Sequence, residues 1–494
     1  MSTSARRRLC GWKSISDQRE GGLSIGYVPM DPAPTLTNAS SVRWVVVVGA
    51  LWTGLVVVAI GKGSWLDTAW PGWPRAFWAA AVWGVNALLL RYGIGPPFEV
   101  GRVPVLSVTF ALLMTVFGCA SYWATVQLYP EYRVEIERAA LLVAVCTALS
   151  LVTATALVRL PQAGTRRYAQ WFVWNWSRLT AVTHVLFLVA VVGTVVTIKR
   201  IGYVPVLSGD PESLRVEFPL IGGVWYRLSM LGGIVALLVG IQVCARRASL
   251  GLWGIGVISL AMVGLYGPRF FVVLPLGAVL LIWDRVRGRI PWPALGLSFT
   301  IVVPVLAALF FVRQRDPEPL AVLGPVGLVL YGTLGEFRDL GWVLDHYADP
   351  ARLEHGATIG SVIVPILPTF AWAALGIDKD AIFARNSANI LADEMGRDTG
   401  QRVGIYGELY MNFGWVGALV GALLYGLLLG YLDRRFRHLR ETGAVSAALM
   451  GLAAATTIFA QIGQLNMFTA TLVSYGYPIL GVAFIAARRT PRVA

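Results

Sequence analysis

A glutamate and an asparagine stand four residues apart near the C-terminal end of the chain, within the run Gly407-Glu408-Leu409-Tyr410-Met411-Asn412-Phe413-Gly414. In a helix, this spacing places both side chains on one face. The run leads into an apolar, glycine-rich stretch, and an ionisable group at the mouth of a membrane helix is costly and therefore a functional candidate. Glu408 could act as a general base, since a helix N-terminus stabilises a carboxylate. The alternative is that Glu408 only caps the helix and pairs with Arg402.

Histidines and carboxylates in the preceding polar segment are further candidates for a base. That segment carries His346, His355, Glu336 and Asp339. An imidazole titrates near neutral pH, so His346 and His355 suit the removal of a proton from a sugar hydroxyl. A single histidine in a loop is more often solvated or structural, and that alternative stays open for both.

Arginines near the ends of apolar stretches could bind a phosphate or diphosphate, because a planar guanidinium matches phosphate oxygens better than an ammonium does. Arg269 stands out, since its turn between two apolar stretches, Tyr266-Gly-Pro-Arg-Phe270, has almost no loop. The alternative for each arginine is extension to the membrane interface or an ion pair between helices. The candidate phosphate ligands are Arg215, Arg269, Arg313, Arg338 and Arg402.

Metal and cofactor chemistry has little support in the sequence. Asp378-Lys379-Asp380 matches the Asp-x-Asp pattern of metal-dependent glycosyltransferases, but a three-residue pattern carries little information. The four histidines and four cysteines form no cluster at metal-ligand spacing, and no nucleotide-binding glycine loop occurs. We therefore expect no metal, no cofactor and no disulfide framework.

Composition predicts a polytopic membrane protein. Of the 494 residues, 56% are hydrophobic and only 14% are charged, against about 25% charged in soluble proteins. The net charge of +14 falls in short arginine clusters between apolar stretches, a pattern typical of membrane orientation, so we expect no nucleic-acid partner. Three tryptophans close to basic residues, Trp171, Trp174 and Trp176, predict an interfacial segment on the cytoplasmic surface.

The predicted fold is an all-α membrane protein with about twelve transmembrane helices. With both termini cytoplasmic, every predicted inner segment is basic, as the positive-inside rule requires. Apolar stretches long enough to cross about 30 Å of hydrocarbon lie at 43–60, 76–90, 103–128, 138–158, 180–198, 226–245, 249–266, 270–284, 293–312, 406–431, 445–462 and 468–487. The eighth, 270–284, is short and could be re-entrant. Within the tenth, Gly417-x-x-x-Gly421 and Gly426-x-x-x-Gly430 predict close helix packing.

The predicted organisation divides the chain into tails, membrane domains and one large outer loop. The parts are a disordered basic cytoplasmic tail (1–42), spans one to nine (43–312), an extracytoplasmic loop with helical or interfacial segments (313–404), spans ten to twelve (405–488) and a cytoplasmic tail (489–494). Residues 325–347 and 359–377 could instead form an extra pair of spans. The acidic segment between them would then be cytoplasmic and would break the basic pattern, which favours an outer, interfacial or re-entrant placement.

The chain resembles the Wzy-type O-antigen and oligosaccharide repeat-unit polymerases of bacterial surface polysaccharide assembly. Residues 407–414 are similar to the family's Gly-Glu-x-Tyr-x-Asn-Phe-Gly motif, which is also followed by a glycine-rich span. Two weaker similarities precede it, Val204-Pro-Val-Leu207 with Arg215 downstream and the turn Gly267-Pro268-Arg269. The family often has Pro-Arg where this chain has Pro368-Thr369, so that either the phosphate-binding set lacks one arginine or Lys379 or Arg385 substitutes for it.

The resemblance implies a metal-independent, inverting, GT-C-like glycosyltransferase in the bacterial plasma membrane. It would transfer a growing glycan from a polyprenyl diphosphate to another lipid-linked repeat unit, with a chain-length regulator as a conceivable partner. In this interpretation Glu408, His346 or His355 activates the acceptor hydroxyl, and Tyr410 and Asn412 orient the acceptor. Arg215 and Arg269, together with Arg313, Arg338 or Arg402, hold the diphosphate.

Two other functions remain open from the sequence. A ligase or another polyprenyl-phosphate-sugar transferase would recognise its donor in the same way. A flippase or permease would need ionisable groups near the bilayer midplane, whereas the predicted span interiors offer mainly His184 and a few Ser, Thr and Asn residues.

Overall fold

Helices dominate the computed structural model, which describes residues 122, 124–159, 172–205, 223–266, 270–287, 321–323, 337–367, 369–396, 403–436, 445–460 and 463–489. The helices are α1 (Arg133–Arg159), α2 (Trp176–Ile201), α3 (Val224–Ser229), α4 (Leu231–Cys244), α5 (Leu250–Gly264), α6 (Phe270–Arg287), α7 (Phe337–His346), α8 (Ala357–Gly360), α9 (Thr369–Ala374), α10 (Lys379–Ala384), α11 (Ser387–Glu394), α12 (Gly404–Phe436), α13 (Val445–Ala460) and α14 (Leu465–Ala486). Short 3₁₀ turns lie at Pro130–Tyr132, Pro350–Arg352 and Val364–Ile366.

Among the described residues, five helical stretches are long and apolar enough to cross a membrane, namely Pro130–Val158, Trp176–Ile201, Val224–Cys244, Gly404–Phe436 and Leu465–Ala486. Three shorter apolar helices are Leu250–Gly264, Phe271–Trp283 and Val445–Ile458. Eight of the predicted spans therefore coincide with apolar helices. The predicted spans at 43–60, 76–90 and 293–312 lie outside the described residues, as does most of 103–128, so the total of twelve stays a prediction.

A two-stranded antiparallel sheet interrupts the helical pattern. Strand β1 (Phe172–Trp174) pairs with β2 (Ala487–Arg489), with Val173 opposite Arg488. The prediction of an entirely helical chain misses this sheet. Trp174 of β1 is 1% exposed and belongs to the buried core, while Trp171 lies outside the described residues. The sheet joins the beginning of α2 to the end of α14, which places these two termini at the same end of the bundle, as their predicted directions require.

Helix α12 is broken at Gly414, whose backbone angles are φ 63° and ψ −154°. Only glycine adopts this region without strain. The two parts of α12 pack against each other at the bend, since a Cβ atom on Gly417 would lie 2.6 Å from the carbonyl oxygen of Leu409. The side chain of Leu409 likewise lies against Gly421.

Farther along α12, glycines allow close contact with α1. A Cβ atom on Gly430 would lie 2.8 Å from the carbonyl oxygen of Ala154, and one on Gly426 would collide with the carbonyl oxygen of Ser150. The Ser150 hydroxyl also donates to the carbonyl of Ala422 at 2.8 Å. The predicted close packing between helices is thus confirmed at Gly426 and Gly430, whereas Gly417 and Gly421 lie against the first part of α12 itself.

Residues 337–396 form short helices that pack on one end of the bundle, here called the loop end. Gly341 of α7 lies against the backbone of Glu135 at the start of α1, and Val362 contacts Thr469 near the start of α14. Within 359–377 the longest helix, α9, has six residues, so the alternative of a continuous span through 359–377 is wrong. Of the region 325–347, the described part contains α7 alone, with ten residues.

Substitution of Gly426 tests the contact between α12 and α1. Gly426→Ala should lower stability by about 1–3 kcal/mol through overpacking, partly offset by the better helix propensity of alanine. Gly481→Ala is the matched control, because a Cβ atom on Gly481 in α14 meets nothing within 4 Å. The thermal unfolding midpoint in detergent measures both. A Gly426→Ala protein as stable as Gly481→Ala would contradict the packing.

Candidate functional site

The 407–414 run lies at the loop end, where Glu408 caps the last helix. The Glu408 side chain is 0% exposed, and its Oε2 accepts a hydrogen bond of 2.7 Å from the backbone N–H of Leu465, the first residue of α14. The N-cap residue Gln464 makes no side-chain capping bond of its own. A carboxylate from α12 therefore satisfies an N–H of α14 and complements the helix dipole. The hydroxyls of Thr358 and Ser387 are further polar neighbours of this buried carboxylate.

Asn412, one turn after Glu408, fixes a loop to the broken end of α12. Its side-chain amide donates to the Glu408 carbonyl at 2.7 Å and to the Thr358 hydroxyl at 2.6 Å. Its Oδ1 accepts from the backbone N–H of Gly356 at 2.9 Å. Because Asn412 is fully buried, these three bonds use most of the capacity of its amide.

The same loop also pairs the carbonyls that the break at Gly414 leaves free. The backbone N–H of Glu354 donates to Met411 O at 3.1 Å, and that of His355 donates to Asn412 O at 3.1 Å. In an uninterrupted helix these carbonyls would bond to residues four positions later. His355 adopts φ 48°, a left-handed conformation that is uncommon outside glycine, and the neighbouring hydrogen bonds hold it there.

Tyr410 and Gly407 attach α7 to the first part of α12. The Tyr410 hydroxyl donates to the Leu344 carbonyl at 3.3 Å, near the C-terminal end of α7. A Cβ atom on Gly407 would lie 2.7 Å from Cδ1 of Leu340, so glycine allows the two helices to approach. The polar and small residues of the run thus secure three neighbouring segments, namely α14, the loop 353–358 and α7.

The segments that the run anchors, α7 and the loop, carry side chains of a partly exposed cluster around His346. The ring of His346 stacks on Trp342, with centroids 4.3 Å apart and an interplanar angle of 13°. Its Nε2 lies 3.7 Å from Glu394 Oε2, and its Nδ1 lies 3.4 Å from Arg352 Nη1. The hydroxyl of Tyr347 donates to the same Glu394 oxygen at 2.7 Å. The side chains of His346 and Glu394 are 28% and 32% exposed.

These contacts assign the tautomer of the imidazole. A guanidinium can only donate, so Nδ1 of His346 is the acceptor and Nε2 carries the proton. The protonated nitrogen then faces Glu394. If Arg352 is displaced, Nδ1 presents a free lone pair. Nε2 and Glu394 Oε2 are 3.7 Å apart, beyond hydrogen-bond distance, so the carboxylate is a charged neighbour of the ring.

Two more charged residues, Glu354 and Arg385, complete what we call the His346 cluster, together with His346, Tyr347, Arg352 and Glu394. Burial and the nearby Glu394 charge raise the pKa of Glu354, while Arg385 and His355 act in the opposite direction. Burial and the hydrogen bond to Glu394 raise the pKa of Tyr347, so its hydroxyl stays a neutral donor. Arg352 and Arg385 are exposed and available to an anionic ligand.

The remaining predicted site residues that the structure describes lie outside the His346 cluster. Arg338 lies in α7, where its guanidinium is 4.4 Å from the ring centroid of Tyr129 and 3.4 Å from Asp339, which suits a packing role. His355 is exposed beside the cluster. Asp378 caps α10 by accepting from the N–H groups of Asp380 and Ala381. Four predicted phosphate ligands lie outside the described residues, namely Arg215, Arg269, Arg313 and Arg402.

Sequence reasoning did not select Glu394, Tyr347 or Arg352. Only the fold brings Glu394 to His346, since 48 positions of chain separate them. Tyr347 and Arg352 carried a signal that was available, because they stand one and six residues after His346 in a polar segment. Arg385, considered only as a substitute for a missing arginine, lies close enough to Glu354 to affect its pKa.

Together, the apolar helices and the polar loop end define a helical membrane protein whose loop end carries a cluster of ionisable residues. Comparisons with protein-family models, with curated proteins and with solved structures give no match. The arguments about function therefore come from the residues and their geometry.

Two substitutions separate a capping role of Glu408 from a chemical one. Glu408→Ala should lower stability by about 0.5–2 kcal/mol, the cost of losing an N-cap acceptor. Glu408→Gln keeps an oxygen for the Leu465 N–H and should retain most of the stability and the activity. The thermal unfolding midpoint measures the stability of each variant, and the rate of substrate turnover measures its activity. A stable Glu408→Gln protein without activity would instead indicate that the carboxylate takes part in the reaction.

Proposed function

We propose that the protein is a membrane glycosyltransferase that polymerises polyprenyl-diphosphate-linked oligosaccharide repeat units at its loop end. The observation that carries the proposal is the oriented, partly exposed His346–Glu394 pair beside two exposed arginines. The similarity of residues 407–414 to the repeat-unit polymerase motif supplies the reaction class. The finer parts of the proposal are twelve spans, an outer-facing loop end and cytoplasmic termini in a bacterial plasma membrane.

In the proposed reaction, His346 is the general base. The acceptor hydroxyl takes the position of the Arg352 guanidinium and donates its hydrogen bond to Nδ1. Its oxygen attacks the anomeric carbon of the donor glycan with inversion, and the bond from that carbon to the diphosphate oxygen breaks. The hydroxyl proton passes to Nδ1, and Glu394 stabilises the resulting imidazolium.

The leaving group is a lipid diphosphate, so cations must receive its negative charge. Arg352, once displaced from His346, and Arg385 supply exposed guanidinium groups that match phosphate oxygens in geometry. Arg215 and Arg269 belong to the same proposed set through the family resemblance. The donor diphosphate then contacts Arg352 and Arg385, with its sugar towards His346.

In the proposal, the 407–414 run holds the segments that carry the reacting groups in place. Tyr410 holds the C-terminal end of α7, which carries His346. Asn412 holds the loop that follows Arg352, and the backbone of Met411 pairs with Glu354. Orientation of this kind contributes much of enzymatic rate enhancement, and small displacements of a catalytic group are costly.

Turnover of purified lipid-linked repeat units in proteoliposomes tests the assignment of the base. His346→Gln should reduce turnover by about 10²–10⁴-fold, the usual contribution of a general base. Glu394→Gln should also reduce it, since the imidazolium loses its counter-charge. Asp393→Asn is the matched control, because Asp393 is an exposed neighbour of Glu394 in α11, and it should keep wild-type turnover.

Product analysis then decides between related activities. Elongated lipid-linked glycan from wild-type protein supports polymerisation, whereas transfer of finished glycan to another lipid indicates a ligase. Movement of the intact donor across the vesicle membrane without new glycosidic bonds would indicate a flippase. Normal glycan length with folded His346→Gln protein would overturn the proposed base.

A further inference from the structure

The apolar segment 359–377, described except for residue 368, has no continuous helix, and six of its large apolar side chains are exposed. Between Ala357 and Ile377 the sequence contains no charged residue. Phe370 is 76% exposed and Leu375 is 61% exposed. The other strongly exposed apolar residues of this segment are Ile363, Ile366, Leu367 and Ile377. Water is an unfavourable solvent for a patch of this kind.

Two hydrogen bonds show how this segment lies along α14. Thr469 Oγ1 donates to the Val362 carbonyl at 2.7 Å, one turn into the helix. The Tyr477 hydroxyl donates to the Ile366 carbonyl at 2.7 Å, about 12 Å farther along the helix axis at 1.5 Å per residue. The chain therefore descends beside α14 from Val362 to Ile366.

The depth of Ile366 follows from the length of α14. With 22 residues, α14 is about 33 Å long, close to the thickness of the hydrocarbon core of a bilayer. Tyr477 lies about three turns from its start. Because helical side chains lean towards the N-terminus, the Ile366 carbonyl lies somewhat less deep than Tyr477, but still well within the length of the helix.

Several backbone groups of the segment have hydrogen-bond partners within the protein, as hydrocarbon surroundings demand. Irregular chain is tolerated at membrane depth only when its polar groups find partners in the protein. Trp372 Nε1 donates to the carbonyls of both Val364 and Leu367 at 3.1 Å. The N–H groups of Val362 and Ile366 bond to carbonyls three residues earlier, and the chain turns back through α9.

We infer that residues 359–377 form a re-entrant segment whose exposed apolar side chains are covered by the acyl chains of the bilayer. Its outer surface continues that of α14, where Leu480 is 51% and Phe484 is 93% exposed, as expected of a lipid-facing helix. The segment enters beside α14, reverses near α9 and returns at Asp378, the first charged residue after it. The inference depends on membrane insertion alone and not on the proposed reaction.

Spin-label accessibility in phosphatidylethanolamine–phosphatidylglycerol vesicles tests the placement. A nitroxide is attached to Phe370→Cys, with Leu480→Cys as the lipid-facing control and Ala351→Cys, on the exposed 3₁₀ turn, as the aqueous control. Cys146 and Cys244 are buried, so only Cys10 and Cys119 need replacement. The ratio of collisions with oxygen to collisions with a water-soluble nickel chelate should be several-fold higher at Phe370 than at Ala351 and close to that at Leu480.

A label at Leu375→Cys provides a second, independent position and should behave as at Phe370. Both substitutions replace exposed side chains, and elution as wild type in size-exclusion chromatography checks the fold of each variant. Nickel accessibility at Phe370 or at Leu375 equal to that at Ala351 would place the segment in water and overturn the inference.

Discussion

The break in α12 at Gly414 determines how the loop end is assembled. An uninterrupted helix would use the carbonyls of Met411 and Asn412 internally, and the loop 353–358 would have no backbone acceptors there. With the break, those carbonyls accept from Glu354 and His355, and the loop becomes fixed to a membrane helix. Buried carbonyls without partners would be costly, so the break and the loop contacts depend on each other. The left-handed conformation of His355 is stabilised by the same bonds.

Around this break, the buried polar side chains act as connectors. Glu408 joins α12 to α14, Tyr410 joins it to α7, and Asn412 joins it to the loop. In a low-dielectric environment such bonds are strong when complete and costly when broken. They therefore define one arrangement of the three neighbours. The partly exposed cluster of His346, Arg352 and Glu394 lies on the segments so positioned, which separates the groups that hold the site from those proposed to react.

Periodicity and composition predicted the helices, while the loop end depended on contacts between distant residues. Eight apolar stretches could be located because burial in lipid imposes a long, uniform pattern. The close packing at Gly426 was predictable from spacing alone. By contrast, the two strands have three residues each and pair with each other over more than 300 positions of sequence, so no local sequence pattern predicts them. The sequence drew attention to Glu408, but its burial and its bond to Leu465 could not be predicted from the neighbouring residues. Likewise, Glu394 reaches His346 only through the packing of α11.

The central claim is that the 407–414 run positions the loop that borders the His346 cluster. Hydrogen exchange measured by mass spectrometry on peptides covering 353–358 tests it most directly, with turnover measured on the same protein. Asn412→Ala should speed exchange in these peptides about tenfold, the equivalent of one lost buried hydrogen bond, and should reduce turnover in parallel. Asn389→Ala, at an exposed position in α11, should change neither. Loss of turnover in Asn412→Ala with unchanged exchange would contradict the account, because the run would then act on the reaction without positioning the loop.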